Sequence, residues 1–187
     1  MHGTGLPSDW ITRWAHLVAP GGSVLDVACG GGRHLRWFAA RGHPVTGVDR
    51  NAEALAGLDT LAECVLADIE AHPWPLHDRQ FDAVVVTNYL WRPLWPALLA
   101  SLAPGGLLLY ETFASGQETI GRPSRPEFLL QPGELLARCA DLRIIGYEDG
   151  VLRQPDRFVQ RIAAVRPPVV GAEPVRHVLP ECAAPQG

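Results

Sequence analysis

The chain has 187 residues, 47% of them hydrophobic and 19% charged, enough for one sizeable core and too few for two ordinary domains. Its formal charge of −4 exerts no overall pull on polyanions, which counts against nucleic acid as a partner unless a local basic patch forms. Cys29, Cys64, Cys139 and Cys182 make no CxxC pair and the N-terminus lacks the regions of a secretion signal, so a reduced, cytoplasmic chain is expected; no uncharged stretch reaches the ~18 residues of a membrane span.

The elements alternate along the chain. Ser8 and Asp9 open a helix over 8–18, in which Trp10, Ile11, Trp14, Leu17 and Val18 recur at helical spacing. Strands are predicted over 23–29, 44–50, 63–70, 81–89 and 107–113, and helices over 33–41, 51–62 and 95–106, the second of these capped by Asn51. Near-continuous apolar strands alternating with helices mark an α/β, Rossmann-like, doubly wound and mostly parallel sheet. After the polar, Gly- and Pro-containing stretch 114–132, read as a lid-like insert, a helix over 133–140 precedes two apolar runs separated by "VLRQPD". Runs so close in sequence form a hairpin, which adds two antiparallel strands and brings the sheet to seven. One domain over 1–166 and a flexible, Pro-rich tail over 167–187 complete the expected organisation.

"DVACGGGRH", residues 26–34, sets three glycines between a buried strand and a helix. Such a turn exposes main-chain N–H groups to a ligand, and the helix start favours an anionic group. Asp49 closes the next strand, where a carboxylate can accept both hydroxyls of a ribose. A dinucleotide fingerprint would place Gly or Ala three residues after Gly32, yet that residue is Leu35. Asp26, Asp49 and Asp68 instead put carboxylates at the ends of successive strands, which suits a ligand carrying positive charge.

"VLDVACGGGR", "VTGVDR", "LADIE", "FDAVVV" and "LAPGGLLLYE", in that order and spacing, resemble the successive motifs of the class I S-adenosylmethionine-dependent methyltransferases over roughly residues 8–165. More loosely, "FLLQPGELL" and "YEDG" are similar to small bacterial enzymes of the tellurite-resistance and thiopurine-methyltransferase type. The resemblance implies S-adenosyl-L-methionine as cofactor and S-adenosyl-L-homocysteine as product. It implies cofactor contacts from Asp26, Ala28, Cys29, Gly30, Gly32, Arg33, Asp49, Arg50, Asp68, Ile69 and Asn88. Asp26 would reach the methionine ammonium, Asp49 the ribose, and Asp68 with Ile69 the adenine, while Asn88 and Tyr89 would stand beside the sulfonium. Most relatives have Gly where Ala28 stands.

Methyl transfer from a sulfonium is an in-line displacement, so alignment in a water-poor site supplies most of the rate. A hydroxyl acceptor needs deprotonating as well, and Tyr89, Glu111 and His34 are the catalytic candidates, with Glu148 a further strand-end group. No metal-ligand spacing is present. Cys29 reads as a small filler, and Trp10 and Trp14 as core; Trp91 and Trp95 read equally as packing or as an aromatic wall for the acceptor. The acidic charge and compact size favour a small-molecule substrate handled by a monomer or homodimer, with no membrane partner. An RNA or protein methyltransferase would require Arg36, Arg92, Arg122 and Arg125 to form one basic face; a non-catalytic S-adenosylmethionine- or NAD-binding module is the third reading. Asp49→Ala is expected to weaken S-adenosylhomocysteine binding by about 1.5–3 kcal/mol, read by calorimetric titration, with the fold intact.

Overall fold

The computed structural model describes residues 5–168 and 175–180. Its apolar runs become seven strands: β1 (Val24–Val27), β2 (Val45–Asp49), β3 (Glu63–Leu66), β4 (Phe81–Thr87), β5 (Leu102–Phe113), β6 (Arg143–Leu152) and β7 (Arg157–Val165). They lie in the order β3-β2-β1-β4-β5-β7-β6. The first five are parallel, and β7 and β6 are each antiparallel to their neighbour, as the short link between the last two apolar runs requires.

The sheet is covered on both faces, which is why its central strands alternate between two cores rather than between core and water. Val84, Val86, Leu108, Tyr110, Ile162 and Ala164 face one core together with Trp95, Leu98 and Leu135. Ala83, Val85, Leu107, Leu109, Ala163 and Val165 face the other, with Trp10, Ile11, Trp14, Leu35 and Phe38. The covering helices are α1 (Asp9–Trp14), α2 (Arg33–Ala39), α3 (Ala52–Leu55), α4 (Trp95–Ala100) and α5 (Glu134–Arg138). Ser8 caps α1 by accepting the Trp10 N–H, and Trp10 donates its indole N–H to Ile162 O at 3.1 Å. Trp14 packs where Gly146 carries no side chain; a Cβ there would lie 2.4 Å from the indole. Both tryptophans are core residues.

Several boundaries differ from the sequence expectation. The first helix ends at Trp14 and continues as a single 3₁₀ turn, Ala15–Leu17. The helix expected over 51–62 stops at Leu55, since Gly57 adopts φ +80°; Leu58 is buried all the same, from a turn. β3 ends at Leu66, and residues 67–80 cross to β4 through turns. The helix expected over 95–106 ends at Ala100 and β5 begins at Leu102, because Leu102 pairs with Phe81 ahead of the irregularity at Pro104–Gly105. Among the described tail residues, Val178 O lies 2.8 Å from His16 Nε2; the rest of that expectation, with Cys182, falls on 169–174 and 181–187, outside the described residues. No helix among those described is long and apolar enough to cross a membrane.

Gly47 of β2 faces α2, where a Cβ would lie 2.6 Å from Leu35 Cδ1 and 2.9 Å from Cys29 Sγ. Gly47→Ala is expected to lower the unfolding free energy by about 1–3 kcal/mol through overpacking, read by urea denaturation.

Candidate functional site

The carboxyl ends of the parallel strands open onto a cavity of about 350 Å³. Such crevices form where the strand order reverses, here between β1 and β4. Ala28, Asp49, Arg50, Asp68, Ile69, Asn88 and Tyr89 all line it.

The loop after β1 is built from left-handed backbone, with φ +54° at Ala28, +53° at Gly30 and +73° at Gly32. At Gly32 the reason is packing as much as dihedral freedom, since a Cβ would come within 2.7 Å of a Leu58 methyl. Ala28 bears the strain of that region with a side chain present. Asp49 fastens the loop to β2: its carboxylate accepts the Gly30 N–H at 2.7 Å on one oxygen and the Asn51 N–H at 2.9 Å on the other. Replacing it with alanine therefore removes two structural hydrogen bonds, so Asp49→Ala is expected to cost stability, and Asp49→Asn is the milder probe. Asp68 holds the turn after β3 in the same way, accepting the Glu70 and Ala71 N–H groups at 3.0 and 3.2 Å.

Beyond β4, Asn88 is left-handed at φ +55° and donates its N–H to Glu111 O at 2.9 Å. The Tyr89 hydroxyl is buried with no hydrogen-bond partner. Burial, followed by the nearby Glu70 carboxylate, pushes its phenol well above the ordinary value, so it remains protonated at neutral pH.

The remaining sequence candidates lie behind the cavity wall or beside it. Asp26 and His34 are each 1% exposed, and Asp26 Oδ2 has no hydrogen-bond partner, with His34 Nδ1 lying 3.5 Å away. Cys29 packs against Gly47, and burial first, then Asp26 and Asp49, raises its thiol far above the usual range. Arg33 donates to Leu6 O and Thr87 Oγ1 at 3.4 and 3.3 Å. Glu111, 2% exposed, does not open onto the cavity: it accepts the Ser8 hydroxyl at 3.0 Å and pairs with Arg161 at 3.3 Å. Glu148 pairs with Arg161 and with Arg13.

Sequence reasoning missed Phe113, Pro123 and Phe128, which form the apolar end of the cavity with Leu90. Phe113 ends β5, a position whose outward direction the apolar run conceals. Phe128 comes from the insert, which Arg92 anchors: its guanidinium donates to both Glu134 oxygens at 2.8 Å, to Glu127 O at 2.8 Å and to Leu129 O at 2.9 Å. Neither Trp91 nor Trp95 lines the cavity; Trp95 stacks on Tyr110 in the core, at 5.0 Å between ring centroids. Among the described residues no group of three or more His, Cys, Asp or Glu side chains is gathered for a metal ion.

Residues 24–106 match the family described as a methyltransferase domain. The chain is 28% identical over 166 residues to a tRNA U34 carboxymethyltransferase of Klebsiella pneumoniae subsp. pneumoniae, covering 78% of this chain and 47% of the relative. To a ubiquinone biosynthesis O-methyltransferase of Azoarcus sp. it is 33% identical over 118 residues, covering 56% and 48% respectively. The crystal structure of TehB from Haemophilus influenzae superposes with a TM-score of 0.70 at 22% identity, over 87% of this chain and 63% of that one. The chain thus spans about half the length of the curated relatives it matches. Over residues 24–106 the chain is thus similar to a methyltransferase domain, and it shares its fold with TehB.

The Arg92–Glu134 pair gives the insert a pH response. Burial raises the Glu134 carboxyl, but the Arg92 hydrogen bonds, the Gln131 N–H and the charges of Arg92 and Arg138 outweigh it and hold the group below the usual carboxylate range. A depressed folded value stabilises above the unfolded pKa of about 4.3, and that contribution disappears as pH falls through the folded value. Arg92→Ala is expected to raise proteolytic nicking within 114–132 several-fold at pH 7 and to flatten the acid side of the stability profile, read by limited proteolysis and thermal melts.

Proposed function

We propose that this chain binds S-adenosyl-L-methionine over the ends of β1, β2 and β3 and delivers its methyl group to a small, planar or apolar acceptor over the ends of β4 and β5. The observation that carries the reading is the division of one cavity. Asp49 and Asp68 come from the ends of β2 and β3, Leu90 and Phe113 from the ends of β4 and β5 on the other side of β1, and all line the same cavity with Pro123 and Phe128 of the insert. The residues present suit the cofactor. A buried Asp26 oxygen lacks a partner, and a cationic amino group is the kind of partner that would offset its desolvation. Each Asp49 oxygen holds one N–H and keeps a lone pair for a ribose hydroxyl.

Asp26, Ala28, Gly30 and Gly32 would hold the amino-acid end, and Asp49 with Arg50 the ribose. Asp68 and Ile69 would hold the adenine. When bound, the cofactor supplies an electrophilic methyl carbon on a sulfonium. The chain's own residues then have to align the acceptor and exclude water, and the apolar end of the cavity does both. Tyr89, with its phenol pushed up, acts as a hydrogen-bond donor at neutral pH rather than as a base. Glu111 and His34 act from the buried side, on other side chains. The insert 114–132 serves as a lid, because it brings Pro123 and Phe128 to the cavity while Arg92 and Gln117 hold its base.

A macromolecular acceptor is less well supported. Arg92 is taken up by Glu134 and Arg125 by Glu127, so the four arginines do not offer one free basic face. The dinucleotide reading loses support at Leu35, which is fully buried against the space Gly32 and Gly47 leave open.

Production of S-adenosylhomocysteine across panels of phenols, thiols, carboxylates, metalloid oxyanions and RNA tests the proposal; turnover confined to RNA, or NADH binding without S-adenosylmethionine binding, would refute it. With an accepted phenol or thiol, Phe128→Ala is expected to raise KM about tenfold with kcat changed less than about threefold, since the lost contact is uniform binding.

A further inference from the structure

Residues 6–8 are held to the body by polar contacts. Leu6 is 87% exposed, so no apolar burial fastens it, and its carbonyl accepts Arg33 at 3.4 Å. Ser8 is fixed three ways: its N–H donates to His34 Nε2 at 3.2 Å, its hydroxyl donates to Glu111 Oε1 at 3.0 Å, and the same oxygen accepts the Trp10 N–H at 3.2 Å. Glu111 is in turn paired with Arg161, Arg161 with Glu148, and Glu148 with Arg13 of α1. The charges alternate in sign, and the series closes back on the helix that Ser8 caps.

The Ser8 contact also assigns the proton on His34. With Nε2 accepting a backbone N–H, the neutral ring carries its hydrogen on Nδ1, facing Asp26 Oδ2 at 3.5 Å. That separation is too long for a good hydrogen bond. The carboxylate is therefore given a direction and a favourable dipole without being satisfied, and it retains capacity for a stronger, cationic partner. A carboxylate already saturated by protein donors would compete with the ligand.

We infer that His34 is a positioning residue, set by Ser8, that holds the Asp26 carboxylate ready for the cationic amino end of the ligand, so that seating of residues 6–8 and filling of the site are coupled. The inference rests on the cofactor reading above and adds to it a specific route from the first helix to the site.

His34→Gln and His34→Asn separate the two halves of the ring. Glutamine places a polar atom near the Nε2 position and can accept from Ser8 but not donate to Asp26; asparagine places its amide near the Nδ1 position and does the reverse. The readouts are calorimetric titration with S-adenosylhomocysteine and with methylthioadenosine, the nucleoside thioether lacking the amino-acid end, together with amide hydrogen exchange over residues 8–12. In the wild-type chain S-adenosylhomocysteine is expected to slow that exchange. H34Q is expected to bind it about tenfold more weakly while binding methylthioadenosine unchanged. H34N is expected to keep its affinity for S-adenosylhomocysteine within about threefold and to lose the ligand-induced slowing.

Equal losses for both nucleosides in H34Q would mark a general packing effect and overturn the inference, as would unchanged binding in H34Q or retained slowing in H34N. A wild-type chain that binds neither nucleoside overturns the cofactor reading and this inference with it. Wild-type binding with indifferent variants overturns the inference alone.

Discussion

Two hydrogen bonds to one carboxylate hold the site together. Asp49 ends β2, and by accepting the Gly30 and Asn51 N–H groups at 2.7 and 2.9 Å it ties the loop after β1 to the start of α3. Charge-assisted bonds of this kind are about twice as strong as neutral ones, and they fix a loop with left-handed residues at Ala28, Gly30 and Gly32. The packing beneath depends on the same arrangement. Leu58, Leu35 and Cys29 fill the spaces that Gly32 and Gly47 leave open, so the loop, β2 and α2 form one unit. The carboxylate proposed to meet the ribose therefore also holds the local architecture.

The far side of the cavity is organised by different physics. There the chain leaves β5, crosses through short 3₁₀ turns and returns to pair Leu130 with Ala114. Leu129 and Leu130 bury its far end, and hydrogen bonds hold the rest. Arg92 grips it at one end; at the other, Gln117 accepts the Phe158 N–H and donates to Arg122 O. A guanidinium presents several donors in a rigid plane, which suits it to gathering carbonyls and a carboxylate from a segment with no regular hydrogen-bond ladder. The aromatic end of the cavity depends on that grip.

The sheet was legible in the sequence because both of its faces are covered. β4 reads "FDAVVVT" and β5 contains "LLLY" since each successive side chain meets one of two cores, and that pattern has few other solutions. The hairpin followed from chain length alone. The extent of α3 was not legible. Leu55, Leu58 and Leu61 keep helical spacing, yet Gly57 ends the helix and Leu58 reaches the core from a turn, so periodicity recorded burial faithfully and misreported conformation. Around the cavity, Ala28, Asp49, Arg50, Asp68, Ile69, Asn88 and Tyr89 line it and stand in or beside the motifs that the resemblance rests on. Glu111 was expected where β5 opens onto the pocket, but the strand runs on to Phe113, so Thr112 and Phe113 at its end line the cavity while Glu111 meets Ser8 and Arg161. Phe128 was invisible for a related reason: only the long-range grip of Arg92 brings it to the cavity.

Ala28 has a further consequence. A methyl group on left-handed backbone at φ +54° makes the turn harder to form than glycine would, but it also removes many of the other shapes the turn could take. A ligand arriving at such a turn finds fewer alternatives to suppress, and the entropy lost on closing around it shrinks accordingly. The side chain that departs from the common glycine thereby acts as a stiffener, shifting part of the cost of recognition from the moment of binding to the moment of folding.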